Sequence, residues 1–103
     1  MIITGGTGMV GSAFKRVLPE ADYPNREQFH SLLFDPRGKG IIHLAAKVGG
    51  VKANTEEMAQ FYYENSNINQ KILHDAHLRG ANKVLSLLST CVYPDAPYIN
   101  YPL

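Results

Sequence analysis

Tryptophan is absent from the 103-residue sequence, and cysteine occurs once, at Cys91. A single thiol cannot close an internal disulfide, so packing and hydrogen bonds must hold the fold, and a reducing, cytoplasmic setting is expected. An excess of either charge is also lacking. Ten Lys and Arg against nine Asp and Glu leave a formal charge of +1 with His neutral. That balance gives no basis for expecting nucleic acid or an anionic membrane surface as a partner. No apolar run approaches the roughly 18 residues that cross a bilayer. Met1-Ile2-Ile3 is apolar, but glycines interrupt it at once and no basic segment precedes it, unlike a secretion signal. There is no internal repeat and no low-complexity tract.

What is present fits a globular chain. Hydrophobic residues make up 45% and charged residues 18%, a balance that excludes general disorder. The length suits one domain and falls short of a complete two-domain enzyme. Ile2-Ile3-Thr4 reads as a short buried strand ending in Gly5-Gly6-Thr7-Gly8. From Met9 to Leu18, apolar residues at 10, 13, 14, 17 and 18 follow the helical period, and Pro19 stops the helix. Residues 19–40 are the least regular part. Ala21-Asp22-Tyr23 has the character of a short strand ended by Pro24, and Gln28 to Phe34 spans about two helical turns. Asp35-Pro36-Arg37-Gly38-Lys39-Gly40 signals a turn. Ile41 to Ala46 is a second buried strand, about Asn54 to Arg79 a long helix with Gly80 as its C-cap, and Val84 to Ser89 a third strand. This alternation implies parallel strands joined by crossover helices. The segment from Tyr93 to Leu103 reads as loop.

Three segments carry candidate chemistry. Gly5, Gly8 and Gly11 form G-x-x-G-x-x-G between a strand and a helix. Glycines there permit a sharp turn, close approach of a dinucleotide's pyrophosphate, and tight helix–strand packing, while free amides at the helix start hold the phosphates. Leu44-Ala45-Ala46 ends the second strand. Its small residues either leave room for a nucleotide at the carboxyl edge of the sheet or simply pack there. Ser89-Thr90-Cys91 follows the third strand. A hydroxyl at that edge can hydrogen-bond a substrate carbonyl. The thiol of Cys91 is either a proton-transfer group or a small buried hydrophobe. His43 reads as a satisfied core histidine, because no His/Cys/Asp cluster has metal-ligand spacing and no metal site is expected. Lys15-Arg16, Lys47 and Lys52 read as solvated charges, with Lys47 and Lys52 also within reach of a phosphate.

Together these stretches resemble the extended short-chain dehydrogenase/reductase superfamily and, within it, the GDP-L-fucose synthase branch. The resemblance rests on Thr-Gly-Gly-Thr-Gly-Met-Val-Gly-Ser at 4–12 and His-Leu-Ala-Ala-Lys-Val-Gly-Gly-Val at 43–51. It continues through Asn65-x-x-x-Asn69, Gly80-x-x-Lys83 and Leu88-Ser89-Thr90-Cys91-Val92-Tyr93-Pro94-Asp95. It implies a Rossmann-like parallel sheet with flanking helices, here cut to three or four strands over residues 1–103, with no substrate domain. It implies an NADP-dependent epimerase-reductase acting on a GDP-linked 4-keto-6-deoxy sugar. Gly5, Gly8, Met9, Val10 and Gly11 would then touch the cofactor pyrophosphate. Leu44, Ala45 and Ala46 would line the adenosine ribose and the path to the nicotinamide, and Leu88 the nicotinamide side. Ser89 would polarise the C4 carbonyl, and Cys91 would move protons in the epimerisations.

Two departures qualify the resemblance. Residues 19–40 are too short for the family's second strand, acidic turn and helix. In one register Arg26 follows that strand and meets the 2′-phosphate of NADP. In the other, Asp22-Tyr23-Pro24-Asn25 is the acidic turn and the strand is lost. We prefer the first. In addition, no tyrosine here has a lysine four positions later, so the family's Tyr-x-x-x-Lys acid is missing. The chain therefore reads as the cofactor-binding portion of such an enzyme, inactive alone and active only if a complementing chain supplies the rest; the unpaired edge strand of a truncated sheet also invites a homo-oligomer. The alternatives are another sugar-nucleotide epimerase or dehydratase of the superfamily, a stand-alone dinucleotide-binding or protein-interaction module, and a decayed remnant without function.

Overall fold

The computed structural model describes residues 1–30, 35–89 and 93. Its elements are β1 (Ile2–Thr4), α1 (Met9–Val17), α2 (Arg26–His30), β2 (Gly40–His43), α3 (Val51–Glu56), α4 (Met58–Leu78) and β3 (Lys83–Ser86). The three strands form one parallel sheet in the order β1-β2-β3. Ile2 pairs with Ile41, and Ile41 in turn with Val84. On the outer side of β1, Asp22 makes a single parallel bridge to Ile2. Its carbonyl accepts from the Ile3 amide at 2.8 Å and its amide donates to the Met1 carbonyl at 2.9 Å. The expected strand at 21–23 is thus reduced to one residue, because Pro24 follows and has no amide to extend the ladder. The architecture is the Rossmann-like α/β sheet expected, with three strands and a fourth position held by Asp22.

The core explains why these segments fold together. Ile2, Ile41, Ile72 and Ala76 are buried as one cluster, with Ile68, Ala81 and Val84 packed on it. Ile68, Ile72 and Ala76 recur every four residues along α4, so they form one stripe that lies on the sheet. α4 ends as its sequence signals. Gly80 has φ +77°, the Ala81 amide donates to the Ala76 carbonyl at 2.9 Å, and the Gly80 amide reaches His77 at 3.4 Å. That paired arrangement is a Schellman cap.

Several boundaries differ from the sequence expectation. β2 ends at His43 rather than Ala46. The Leu44 and Ala45 amides both donate to Thr4 Oγ1, at 3.1 and 3.2 Å, and so leave the ladder. α2 begins at Arg26, ahead of Gln28. The Gln28 amide donates to Asn25 Oδ1 at 2.8 Å, and the Asn25 amide to Gln28 Oε1 at 3.0 Å. This reciprocal pair is a capping box that fixes the helix start. The long helix expected from about Asn54 to Arg79 is two helices, α3 and α4, which meet at Glu57. Among the described residues no helix is long and apolar enough to cross a membrane.

Candidate functional site

Because all three strands are parallel, their carboxyl ends lie along one edge of the sheet. The glycine turn after β1, the 44–50 segment after β2 and residues 87–89 after β3 therefore share that edge. The glycine turn has strict internal geometry. Gly5 has φ +77°, and a Cβ on it would lie 2.8 Å from the Ala45 amide nitrogen and the Leu44 carbonyl carbon. A Cβ on Gly11 would fall 2.1 Å from the Gly5 carbonyl oxygen. Both positions exclude any side chain because the protein's own backbone occupies the space. Gly8 differs. A Cβ there would meet only the Gly5 carbonyl oxygen, at 3.4 Å, an ordinary contact. Gly8 caps α1 without a side-chain hydrogen bond to the helix. Gly8 is exposed, so the start of α1, where the first amides lack intrahelical partners, is open to solvent, as a cradle for an anion requires. Met9 is 88% exposed and Val10 is also exposed at this opening.

A polar junction ties the ends of β1 and β2 to α4. Thr4 and His43 are both buried, at 1% and 4% exposure. Thr4 Oγ1 lies 2.8 Å from His43 Nδ1, and His43 Nε2 lies 2.9 Å from Asn69 Oδ1. Thr4 Oγ1 already accepts two amides, so its one proton goes to His43 Nδ1. That assigns a neutral imidazole protonated on Nε2, which donates to Asn69. Burial pushes the His43 pKa below its usual value, with the Asn69 hydrogen bond opposing. His43 is therefore the satisfied core histidine expected. Further along the same segment, the Lys47 amide donates to Asn65 Oδ1 at 2.7 Å, and Asn65 Nδ2 donates to the Lys47 carbonyl at 3.0 Å. The Asn65 side chain thus clamps the backbone after β2.

Among the described residues, two cavities open at this edge. One, of about 380 Å³, is lined by the glycine turn together with Lys15, Tyr23, Arg26 and Ala45. It brings together Gly5, Arg26 and Ala45 among the candidate residues. The other, of about 630 Å³, is lined by Lys47, Val48 and Gly49, by Phe61, Asn65 and Asn69 of α4, and by Ser89. Ser89 therefore lies on the second cavity, beside the Asn65 clamp, and does not line the one at the glycine turn. Leu44 is half-buried and Ala46 exposed, and neither lines a described cavity. Leu88 is 77% exposed. Cys91 lies outside the described residues. Among the described residues no group of three or more His, Cys, Asp or Glu could hold a metal ion.

Sequence reasoning passed over Thr4, Lys15 and Tyr23. Thr4 is the polar end of an apolar run, a position where a buried hydroxyl must find partners. Lys15 read as a solvated charge, yet its Nζ lies 5.4 Å from the centroid of the Tyr23 ring, on the wall of the first cavity. Tyr23 donates its hydroxyl to the Leu18 carbonyl at 2.7 Å.

Comparison with known proteins gives consistent results. A "Probable GDP-L-fucose synthase" of Drosophila melanogaster is 36% identical over 118 residues, covering all of this chain and 36% of the relative. The GDP-L-fucose synthase of Escherichia coli K12 is 36% identical over 107 residues, covering 91% of this chain and 33% of the relative. A solved structure called DdhaC superposes with a TM-score of 0.79 at 29% identity, over 96% of this chain and 33% of that one. The chain thus spans about a third of the length of the relatives it matches. The first of these alignments is longer than the chain itself, so the fly protein carries positions that have no counterpart here. The profile of the NAD dependent epimerase/dehydratase family matches residues 15–102. A glycine turn that only glycine can make, a parallel sheet and this match over most of the chain lead to one conclusion: the protein belongs to the NAD dependent epimerase/dehydratase family.

Proposed function

We propose that the chain is the cofactor-binding portion of an NADP-dependent epimerase-reductase acting on a GDP-linked 4-keto-6-deoxy sugar. One observation carries the cofactor half of this reading. Gly5 and Gly11 are closed by backbone, whereas Gly8 opens the start of α1 to solvent. Amide donors and the positive end of the helix then converge on a space that suits a diphosphate. The preference for NADP rests on Arg26, which lines the cavity beside that turn. Asp22 meanwhile pairs with Lys39 at 3.1 Å. An acid free to accept from the ribose hydroxyls would favour NAD instead. Arg26 and the glycine turn would hold and orient the cofactor, which when bound would supply hydride.

The sugar-nucleotide half rests on the relatives and on Ser89. The serine hydroxyl would hydrogen-bond the C4 carbonyl and stabilise charge developing on its oxygen. Cys91 would exchange protons at the neighbouring carbons. No tyrosine of the sequence has a lysine four positions on, so the general acid for reduction would come from a further segment or a complementing chain. Apolar side chains at Leu85, Leu87 and Leu88 lie exposed at the β3 edge, where such a segment would pair.

Thermal-shift titration tests the cofactor reading. NADPH at a hundredfold excess over its Kd should stabilise the chain by about 2.7 kcal/mol. NADH at equal concentration should do less. Gly8→Ala should leave the melting temperature without ligand unchanged, because its methyl clears the protein, yet remove the NADPH shift. A Gly8→Ala chain that keeps the full shift would count decisively against the cradle. For the sugar, NADPH oxidation with GDP-4-keto-6-deoxymannose should appear when the chain is supplemented with the part of a full-length relative that it does not cover. Its absence with an otherwise competent complement would refute that half.

A further inference from the structure

Gly6 is the residue of the glycine turn to which the motif assigns no role. Its missing side chain leaves a seat that two other residues fill. A Cβ on Gly6 would lie 2.9 Å from Lys15 Cε, 3.3 Å from Lys15 Nζ and 3.0 Å from Tyr23 Cδ1. Lys15 reaches there from the last turn of α1, and Tyr23 from just beyond the Asp22 bridge. Lys15 Nζ sits 5.4 Å from the Tyr23 ring centroid. The ring is fixed through its hydroxyl, which donates to the Leu18 carbonyl at 2.7 Å. Burial, and then the Glu20 carboxylate, hold that hydroxyl above the usual tyrosine range, so the ring presents a neutral face to the ammonium. A lysine that only covered a solvated helix face would have no such seat.

Charge around this seat is one-sided. Lys15 and Arg26 line the same cavity, and no carboxylate is among its described lining residues. Among the described residues neither cation is in an ion pair. Of the nearby acids, Glu20 acts on the Tyr23 hydroxyl and does not line the cavity, and two others are engaged elsewhere. Asp22 pairs with Lys39 at 3.1 Å, and Glu64, which feels Arg26, accepts from Gln60 and pairs with Lys47 at 3.5 Å. The amides of α1 that suit a diphosphate lie at Gly8. The Lys15 seat lies at Gly6, beside Tyr23 and the Asp22 bridge, on a cavity that Arg26 lines and whose described lining does not include Gly8. In dinucleotide-binding sheets the end of the second strand is where the adenosine ribose is recognised.

We infer that Lys15, seated on Gly6 and backed by Tyr23, is a specificity-determining residue that pairs with Arg26 on the 2′-phosphate of NADP. The inference rests on the cofactor reading above and adds a residue to it. Arg26 supplies a planar fork and Lys15 a compact point charge, so two cations face a dianion that NAD lacks.

Titration calorimetry with NADPH, NADH, 2′,5′-ADP and 5′-ADP tests it on the chain as it stands. Lys15→Met should weaken NADPH and 2′,5′-ADP by about tenfold, the scale of one lost charge-assisted hydrogen bond, and leave NADH and 5′-ADP unchanged. Lys15→Arg should restore most of the loss. The wild-type chain gives a second measure that needs no variant. Its affinity for NADPH should fall more steeply with added salt than its affinity for NADH. Equal losses for NADPH and NADH in Lys15→Met would place the lysine on the diphosphate and overturn the inference. NADPH binding that Lys15→Met leaves intact would overturn it while sparing the cofactor reading. A wild-type chain that binds neither dinucleotide would overturn both.

Discussion

Thr4→Val isolates the junction between the two strand ends. Valine keeps the branched shape and the preference for a strand, and deletes one hydroxyl. That hydroxyl serves three partners. It donates to His43 Nδ1 at 2.8 Å and accepts the Leu44 and Ala45 amides at 3.1 and 3.2 Å. His43 is buried, so its Nδ1 would keep no partner and no water. The two amides belong to half-buried residues and would recover part of their hydration. An unsatisfied buried group costs about 1–3 kcal/mol, so the full penalty at His43 plus a fraction at each amide comes to about 2–4 kcal/mol. A domain of this size holds only about 5–15 kcal/mol in all. At about 4–8 °C per kcal/mol, the melting temperature should fall by roughly 10–30 °C. Thr4→Ser keeps the hydroxyl and loses one methyl, worth about 0.8 kcal/mol. Circular dichroism melts of the three proteins near neutral pH decide the matter. If Thr4→Val melts with the wild type or above Thr4→Ser, the hydroxyl is not what joins these strands.

Two further outcomes follow from the same contacts. Gly11→Ala places a methyl 2.1 Å from the Gly5 carbonyl oxygen and 2.7 Å from Gly6 Cα, both backbone. Overpacking of this kind costs about 1–3 kcal/mol or more, so Gly11→Ala should lose far more stability than Gly8→Ala, and the reverse order in paired melts would refute the turn geometry. His43 gives a pH dependence. Its folded pKa lies below the ordinary value of 6.5, so the unfolded chain binds the proton first. Stability should be complete above about pH 6.5 and fall as pH drops toward the folded pKa. Urea midpoints across that window should decline in the wild type and flatten in His43→Asn, and parallel slopes would show that another group titrates.

The glycine turn was legible because its demand is steric and local. Gly5 and Gly11 must approach backbone, and only their residue type can permit it. The buried histidine was legible too, since a lone His within an apolar run has to be satisfied internally. The extent of β2 was not, because it is decided by a contact forty residues away in sequence. The Thr4 hydroxyl draws the Leu44 and Ala45 amides off the ladder, although Leu44-Ala45-Ala46 continues the apolar pattern. The start of α2 was present as Asn25-x-x-Gln28 but outweighed by the apolar residues further on. Lys15 follows the same logic as β2. Helical periodicity places it outside, and only the vacancy at Gly6 reveals that its ammonium has a seat.

The edge beside β1 shows how a short sheet can keep its edge paired with a single residue. Asp22 acts there twice, through different atoms. Its backbone holds the edge, with hydrogen bonds of 2.8 and 2.9 Å to Ile3 and Met1, and this stands in for an entire strand. Its carboxylate turns to Lys39 in an exposed pair, and such a pair contributes little to stability. The effect of that pair is on charge. It engages the Asp22 carboxylate, and among the described residues the charges lining the cavity are Lys15 and Arg26. Pro24 then forbids extension of the bridge, and the Asn25–Gln28 capping box starts α2 with Arg26 at its first position, on the cavity wall. On the proposed cofactor reading, the few residues that end this strand early would also select the sign of the ligand's charge.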